Sequence, residues 1–239
     1  MKIGKEILHP IHPQHKLKLE YTEIPFTCDG CKEAGIGLKY SCKQCEFDLH
    51  KACAIPSPTI SHPFYKKCEF QFHYKPPGQC MRICDACRDD VQGFVYHCKA
   101  CGFDLHPCCA SLPQVLDDGK DNLFLCLKLS SSCLHCGGKG SGWCYRSQCK
   151  SYNLHVSCVK ELLVESWQVM YLNADKNKVR EMQTRIPSLN YRTRGNIHGG
   201  GKVKKCCELA GGAVRLIVSA ILGDPTAIIA AVVGGLLSK

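Results

Sequence analysis

The apolar residues of this chain come in short stretches, interrupted by cysteines and histidines as far as Cys158. Alternating apolar residues follow His15 and again follow Cys68. After Cys158 the apolar positions take helical spacing, which predicts a helix to about residue 166 and a returning strand over 168–172. The residues on that helical face are Val159, Leu162, Leu163 and Trp167.

The C-terminal segment 206–239 has a different pattern. Residues 206–222 are apolar apart from three positions, and residues 225–237 contain no charged residue. Between them Asp224 suits a helix N-cap and Pro225 suits a first helical turn, so we predict a hairpin of two apolar helices. The second helix, about 20 Å long, is too short to span a bilayer alone. We expect the hairpin to bury itself in a membrane surface, in a partner, in a second copy of the chain, or against the rest of the protein.

A single motif occurs three times in the first two thirds of the chain, without any internal gap. Each copy has a histidine with a cysteine three positions later, and a Cys-x2-Cys pair that begins 22 positions before the histidine. A leucine directly precedes each histidine and a tyrosine stands ten positions before it. The three histidines are His50, His106 and His155. Agreement at so many positions predicts three copies of one small module.

The first two copies contain more metal ligands than one zinc ion can use. They carry a second Cys-x2-Cys pair, eight and five positions before the histidine. In copy three those positions hold Ser147 and Lys150, and Cys149 is out of register. Since structural zinc takes four ligands, we predict two zinc sites in each of copies one and two and a single site in copy three.

Copy three also decides how the ligands pair. In a sequential arrangement the two Cys-x2-Cys pairs would share an ion, whereas in a crossed arrangement the first pair shares an ion with the His-x2-Cys unit. Only the crossed arrangement leaves copy three a complete site, because that copy keeps the first pair and has lost the second. The predicted sets are Cys28, Cys31, His50 and Cys53; Cys84, Cys87, His106 and Cys109; and Cys133, Cys136, His155 and Cys158.

The second pair of copies one and two needs two ligands from outside the motif. In copy one we select a histidine on each side of the motif, which predicts the set His15, Cys42, Cys45 and His62. In copy two the corresponding positions predict the set Cys68, Cys98, Cys101 and Asp118. His73 and Asp117 are rival fourth ligands there.

The composition favours metal binding over disulfide bonds. The chain has 21 cysteines, an odd number, and 11 histidines in 239 residues. Its N-terminus lacks the apolar stretch of a secretory signal, so we expect an intracellular protein, cytoplasmic and/or nuclear. Eight Phe and two Trp leave little material for one large core, which argues against a large single-core enzyme fold.

The positive charge is concentrated outside the repeats. The net charge is +10, and residues 176–205 alone hold nine Lys or Arg and one acid. We read residues 173–205, which include three consecutive glycines, as a basic flexible linker. A zinc ion with three thiolates and one imidazole carries a charge of −1, so the repeats themselves are roughly neutral. This weakens a nucleic-acid-binding role for the repeats, because affinity for nucleic acid comes mainly from phosphate neutralisation.

The spacing of the first copy resembles the plant cysteine/histidine-rich divergent C1 finger, a shortened relative of the diacylglycerol/phorbol-ester finger. Phe-Asp-Leu-His at 47–50 and 103–106 and Tyr-Asn-Leu-His at 152–155 are typical of that family. The resemblance implies tandem α+β modules, each with small antiparallel sheets and one short helix. The expected units are finger 1 (9–62), finger 2 (62–118), a degenerate finger 3 (123–172), the linker (173–205) and the hairpin (206–239).

We therefore expect a non-enzymatic zinc-binding adaptor for protein partners, in plant signalling or stress response, with about five zinc ions per chain. The connection between the two cysteine pairs is only ten residues long, shorter than in diacylglycerol-binding relatives, so we do not expect diacylglycerol binding. The alternatives are membrane recruitment, lipid binding or self-association through the hairpin, nucleic-acid binding through the linker, and thiol-disulfide oxidoreductase activity.

Overall fold

The computed structural model describes residues 5–117, 122–148, 150 and 153–161. Over these ranges the chain forms three antiparallel sheets of four strands each. The predicted strand at 168–172, the basic linker and the apolar hairpin lie outside the described residues. Within the described ranges, no helix has both the length and the apolar character needed to span a bilayer.

Each sheet follows the chain order of its strands, and a short helix follows each sheet. The first sheet contains β1 (Glu6–His9), β2 (His12–Thr27), β3 (Ala34–Cys42) and β4 (Phe47–His50), followed by α1 (Lys51–Ala54). The second contains β5 (Thr59–Ile60), β6 (Phe70–His73), β7 (Val95–His97) and β8 (Asp104–Leu105), followed by α2 (Pro107–Ala110). The third contains β9 (Val115–Asp117), β10 (Asn122–Cys126), β11 (Cys144–Ser147) and β12 (Asn153–His155). Residues 156–161 are helical.

The repeated tyrosine and leucine form the same cross-strand pair in every finger. Tyr40 pairs with Leu49, Tyr96 with Leu105 and Tyr145 with Leu154 on the last two strands of each sheet. All six side chains are buried. Cross-strand pairs of an aromatic and an aliphatic residue stabilise antiparallel sheets, so this pair explains why both residues recur at fixed distances from the histidine.

Neighbouring fingers pack through an aromatic residue that follows a glycine. In finger 2 the backbone N–H of Phe94 donates to the carbonyl of Gly30 in finger 1, at 2.8 Å. In finger 3 the N–H of Trp143 makes the same bond to Ala86 of finger 2, at 2.7 Å. A Cβ atom at Gly93 would lie 2.0 Å from the Gly30 oxygen, so glycine is needed for this close approach.

The hydrophobic cores are small and continue across these contacts. Phe94 belongs to the buried cluster of finger 1, whereas Trp143, which is fully buried, joins the residues of fingers 2 and 3 in one cluster. The predicted class, small α+β modules in tandem with short antiparallel sheets and short helices, is confirmed over the described residues.

Candidate metal centres

Each finger brings four ligand atoms together at one end of its sheet. The first Cys-x2-Cys pair lies in the loop between the second and third strands. The histidine ends the fourth strand in fingers 1 and 3 and directly follows it in finger 2, and the last cysteine lies in the short helix that comes next. We call these the inner centres. Each contains the set that the crossed pairing predicts: Cys28, Cys31, His50, Cys53; Cys84, Cys87, His106, Cys109; and Cys133, Cys136, His155, Cys158.

The first cysteine pair of each finger sits in the same tight turn. The residue after the second cysteine takes positive φ, at 67° for Lys32, 68° for Arg88 and 70° for Gly137. Its N–H donates to the carbonyl of the first cysteine, at 2.8, 2.8 and 2.9 Å. A left-handed residue at this position curls the backbone so that both sulfurs point to one side.

The distances between ligand atoms fit a zinc ion. Zn–S and Zn–N bonds of about 2.3 and 2.0–2.1 Å in a tetrahedron place two sulfurs about 3.8 Å apart, and a sulfur about 3.6 Å from a nitrogen. The sulfurs of Cys133 and Cys158 are 3.8 Å apart. His155 Nδ1 lies 3.5 Å from Cys136 Sγ and 3.6 Å from Cys158 Sγ, and the corresponding distances in fingers 1 and 2 run from 3.3 to 4.0 Å.

The second ring nitrogen of two inner histidines is held by hydrogen bonds. His50 Nε2 lies 3.1 Å from the Ala34 carbonyl and His106 Nε2 lies 3.2 Å from the Asp90 carbonyl. These bonds fix the ring so that Nδ1 faces the ligand cluster, as in many metal-binding histidines. His155 Nε2 is buried and has no hydrogen-bond partner within the described residues.

A second cluster in finger 1 contains His12, His15, Cys42 and Cys45, and we call it the outer centre of finger 1. His15 Nδ1 lies 3.3 Å from Cys45 Sγ and 3.7 Å from Cys42 Sγ, again as a shared ion requires. His12 Nε2 is buried without a hydrogen-bond partner among the described residues, which suits a ring nitrogen that binds metal. The structure thus corrects the predicted set: His12, not His62, completes it.

His62 lies instead at the contact between fingers 2 and 3. Its ring stacks on Trp143 with 4.4 Å between ring centres, and its Nε2 lies 3.2 Å from Gln114 Nε2. Burial lowers the pKa of His62 to about 4, so the ring is neutral at pH 7. The physical reason for the correction is register: His62-Pro63 opens finger 2 as His9-Pro10 opens finger 1, and both rings are buried.

The outer centre of finger 2 contains three thiols, those of Cys68, Cys98 and Cys101. His73 is not in this cluster; its ring lies 6.1 Å from that of His97. Asp117, at the end of β9, is not in it either. Asp118, the predicted fourth ligand, lies outside the described residues.

Finger 3 has one cluster, its inner centre, within the described residues. Ser147 occupies the position of Cys42 and Cys98 and is buried. Lys150 closes the same turn, with its N–H donating to the Ser147 carbonyl at 3.0 Å. Finger 3 thus keeps the turn that carries the second cysteine pair in fingers 1 and 2, although it has no cysteines at those two positions.

In the inner centre of finger 1, the neighbouring Cys28 changes the pKa of the histidine. Burial alone would lower the pKa of His50, but a hydrogen bond to Cys28 and the charge of that thiolate raise it to about 9. The Cys28 thiolate therefore favours the protonated imidazole when no metal is bound.

A lysine from finger 3 balances the thiolate charge of finger 2. Lys160 Nζ lies 3.3 Å from Cys87 Sγ, and it forms ion pairs with Asp89 at 2.5 Å and with Glu33. Burial alone would lower the pKa of Lys160, but the thiolates of Cys109 and Cys87 and the Glu33 carboxylate raise it well above its ordinary value. Glu33 also lies 3.2 Å from His106 Nε2, so this network joins all three fingers.

The remaining described cysteines are free thiols with other surroundings. Burial raises the pKa of Cys144 to about 12, and its thiol donates to the Cys126 carbonyl at 3.6 Å. Cys108 packs against the buried clusters on both sides of the contact between fingers 1 and 2. Cys80 is exposed. All 18 cysteines in the described ranges are free.

Comparison with known proteins identifies the first finger. Residues 10–54 match the family model of the C1 domain. The chain therefore contains a C1-type finger, and the five Cys/His clusters of the described residues are consistent with divergent C1 zinc fingers, as the resemblance predicted. C1 domains bind zinc, and the ligand distances above fit that metal.

One relative matches a short part of the C1-containing chain. "Probable nucleoredoxin 1" of Arabidopsis thaliana is 40% identical over 55 residues. The match covers 23% of this chain and 9% of that protein. No solved structure matches the chain.

Proposed function

We propose that this protein is a non-enzymatic zinc-finger adaptor that presents rigid surfaces to protein partners in intracellular signalling. The observation that carries the proposal is that four clusters are each completed by four protein donors. A zinc ion with four protein ligands is structural, because catalytic zinc keeps one position for water or substrate. The zinc ions would supply folding energy that these small cores lack.

The ligand chemistry also favours a reducing compartment. Thiolates bind zinc only while they are reduced, and thiols stay reduced in the cytoplasm and nucleus. We therefore place the protein in the cytoplasm and/or the nucleus. The exposed positions of Cys45, Cys101 and Cys136 make this requirement stricter, because oxidants reach exposed ligands first.

Finger 1 offers an apolar surface of the kind that a protein partner would cover. Tyr21 on β2 and Leu38 on β3 are cross-strand neighbours and are 52% and 37% exposed. Adjacent exposed apolar residues on a rigid sheet are typical of interaction sites, and tyrosine is enriched in such sites. This pair is our first candidate for a partner contact.

The test compares zinc-loaded full-length protein with a Tyr21→Ser/Leu38→Ser variant and a Lys16→Ser control. Photo-crosslinking in cell extract should give protein adducts with the wild type and the control. The double variant should lose these adducts while its zinc content is unchanged. Adducts that survive the double substitution would contradict the assigned surface.

The same preparations test the absence of catalysis. Reduction of insulin disulfides by dithiothreitol should proceed at the same rate with and without the protein. Multiple turnovers by the wild type would contradict the adaptor role and favour a thiol-disulfide oxidoreductase.

A further inference from the structure

Among the described residues, the outer centre of finger 2 has one donor fewer than the outer centre of finger 1. Within the described ranges it consists of the thiols of Cys68, Cys98 and Cys101. Finger 1 brings two imidazoles and two thiols to the equivalent place. The two centres occupy equivalent places in their fingers. In each, the cysteine pair lies at the turn between the third and fourth strands, and the other donors lie at the start of the second strand or just before it.

Tyr65 stands where finger 1 has its fourth ligand. The spacing His9-x2-His12-x2-His15 recurs as His62-x2-Tyr65-x2-Cys68. The ring of His12 packs on Phe47, with 4.6 Å between ring centres. The ring of Tyr65 packs on Phe103, the equivalent phenylalanine, also at 4.6 Å. The phenol ring thus occupies the place of the imidazole.

The hydroxyl of Tyr65 is engaged elsewhere. The indole Nε1–H of Trp143 donates to it at 3.3 Å. Tyr65 is buried, and its ring also packs against Phe70 at 5.5 Å. The tyrosine therefore serves the contact with finger 3 and does not belong to the ligand cluster.

Positively charged side chains near this centre can compensate the charge of an additional anion. In finger 1, two thiolates and two neutral imidazoles neutralise a zinc ion, whereas three thiolates exceed its charge by one. The two residues before Cys68 are Lys66 and Lys67, where finger 1 has Pro13 and Gln14 before His15. Both lysines are exposed. With the other charged neighbours of the ligands counted, finger 2 (Lys66, Lys67, Lys99 and Glu69) has a net charge of +2, against +1 in finger 1 (Lys16, Lys43 and Glu46).

We propose that Cys68, Cys98 and Cys101 bind one zinc ion and leave its fourth position to a small thiol from solution. A thiolate suits an ion that already has sulfur ligands, and the lysines offset its charge. On binding, the thiol would replace a water molecule as the fourth ligand and would lose its proton to solvent. No oxidation occurs. The inference rests on the zinc binding in the proposed function.

The test uses 113Cd NMR of the full-length chain loaded with cadmium, because each centre gives its own signal and the shift reports the number of sulfur ligands. The probe is 2-mercaptoethanol, with ethylene glycol as its sulfur-free control. One signal should move in the direction of added sulfur as the thiol is titrated, and the others should stay in place. Ethylene glycol should move none.

Three variants assign the responding signal. Cys68→Ser should remove it, and Tyr65→Phe should keep its response because the hydroxyl is not a ligand. Tyr65→His should place an imidazole in the open position and abolish the response. If Tyr65→His fails to fold, Cys68→Ser and Tyr65→Phe still give the assignment.

Several results would overturn the inference. These are no movement at saturating thiol, movement of several signals, absence of this signal alone, or a shift of this signal in Asp118→Asn without added thiol. The last result would identify a fourth ligand within the chain. Absence of all signals would instead contradict the proposed zinc-binding function.

Discussion

At the scale of single residues, the spacing in the segment that opens each finger decides which histidines can reach a metal ion. His9-Pro10 and His62-Pro63 open fingers 1 and 2, and His12 follows the first pair at the distance where Tyr65 follows the second. His12 therefore points into a ligand cluster, and His62 packs on Trp143. Their different surroundings predict different effects of substitution.

His12→Ala should lower the zinc content by one ion per chain after dialysis against a mild chelator, because it removes one of four ligands. His62→Ala should keep the zinc content of the wild type. It should nonetheless lower the free energy of unfolding by about 1–3 kcal/mol, because the stacked ring is lost. Metal analysis and denaturant unfolding check both. Loss of one zinc ion in His62→Ala, with a normal zinc content in His12→Ala, would instead support His62 as the fourth ligand, as the sequence predicted.

Zinc binding should also depend on pH in a defined direction. In the metal-free fold, the thiolate of Cys28 helps raise the pKa of His50 to about 9, above its unfolded value near 6.5. Relative to the unfolded chain, the bound proton favours this metal-free arrangement fully below pH 6.5, and the contribution is lost as pH rises through 9; it does not replace the zinc ions that hold the fold. Zinc must displace the proton, so apparent zinc affinity should rise from pH 6 to pH 8. Competition with a chromophoric chelator measures this, and a flat profile would refute it.

The sequence predicted the membership of the three inner clusters because copy three retained only one complete set. It failed for the fourth ligand of the outer centre in finger 1, because we counted outward from the cysteine motif. Aligning the spacing His9-x2-His12-x2-His15 with His62-x2-Tyr65-x2-Cys68 would have assigned His62 to finger 2 and selected His12. No sequence signal shows that Trp143 holds the hydroxyl of Tyr65, because that contact joins residues 78 positions apart.

At the scale of structural elements, the three inner centres share a turn, a strand end and a short helix, yet they differ beyond the ligands. Backbone carbonyls hold the second ring nitrogen of His50 and His106. The stretch after Cys136 is rich in glycine, and His155 Nε2 lacks a partner within the described residues. Partners of this kind affect metal affinity by about 10–100-fold.

The centre of finger 3 should therefore bind zinc about 10–100-fold more weakly than the inner centres of fingers 1 and 2. Native mass spectrometry during chelator titration would compare Cys133→Ser with Cys84→Ser. Each variant should bind one ion fewer than the wild type. The inner-centre zinc ion that dissociates at the lowest chelator concentration should be missing from Cys133→Ser and present in Cys84→Ser. The reverse pattern would contradict the lower zinc affinity of finger 3.

At the scale of the whole molecule, the fingers form a connected array. Phe94 and Trp143 each bond to the cysteine turn of the preceding finger, and Lys160 of finger 3 pairs with Glu33 of finger 1 and Asp89 of finger 2. The repeats predicted three modules, but the contacts between them depend on individual residues that the motif does not include.

Lys160→Met should destabilise the zinc-loaded chain by about 3–5 kcal/mol, because Glu33 and the nearby thiolates would lose their counter-charge in a buried place. The exposed Lys139 provides the control, and Lys139→Met should leave the midpoint of denaturant unfolding unchanged. Equal midpoints for the two variants would show that Lys160 does not couple the fingers.

The central claim is that shared metal ions hold these small sheets together, and zinc removal tests it most directly. The near-UV circular dichroism of the reduced, full-length chain should collapse under excess chelator and return on adding zinc, with saturation at about five ions per chain. A chain that keeps its native spectrum after its zinc has been stripped would contradict the claim.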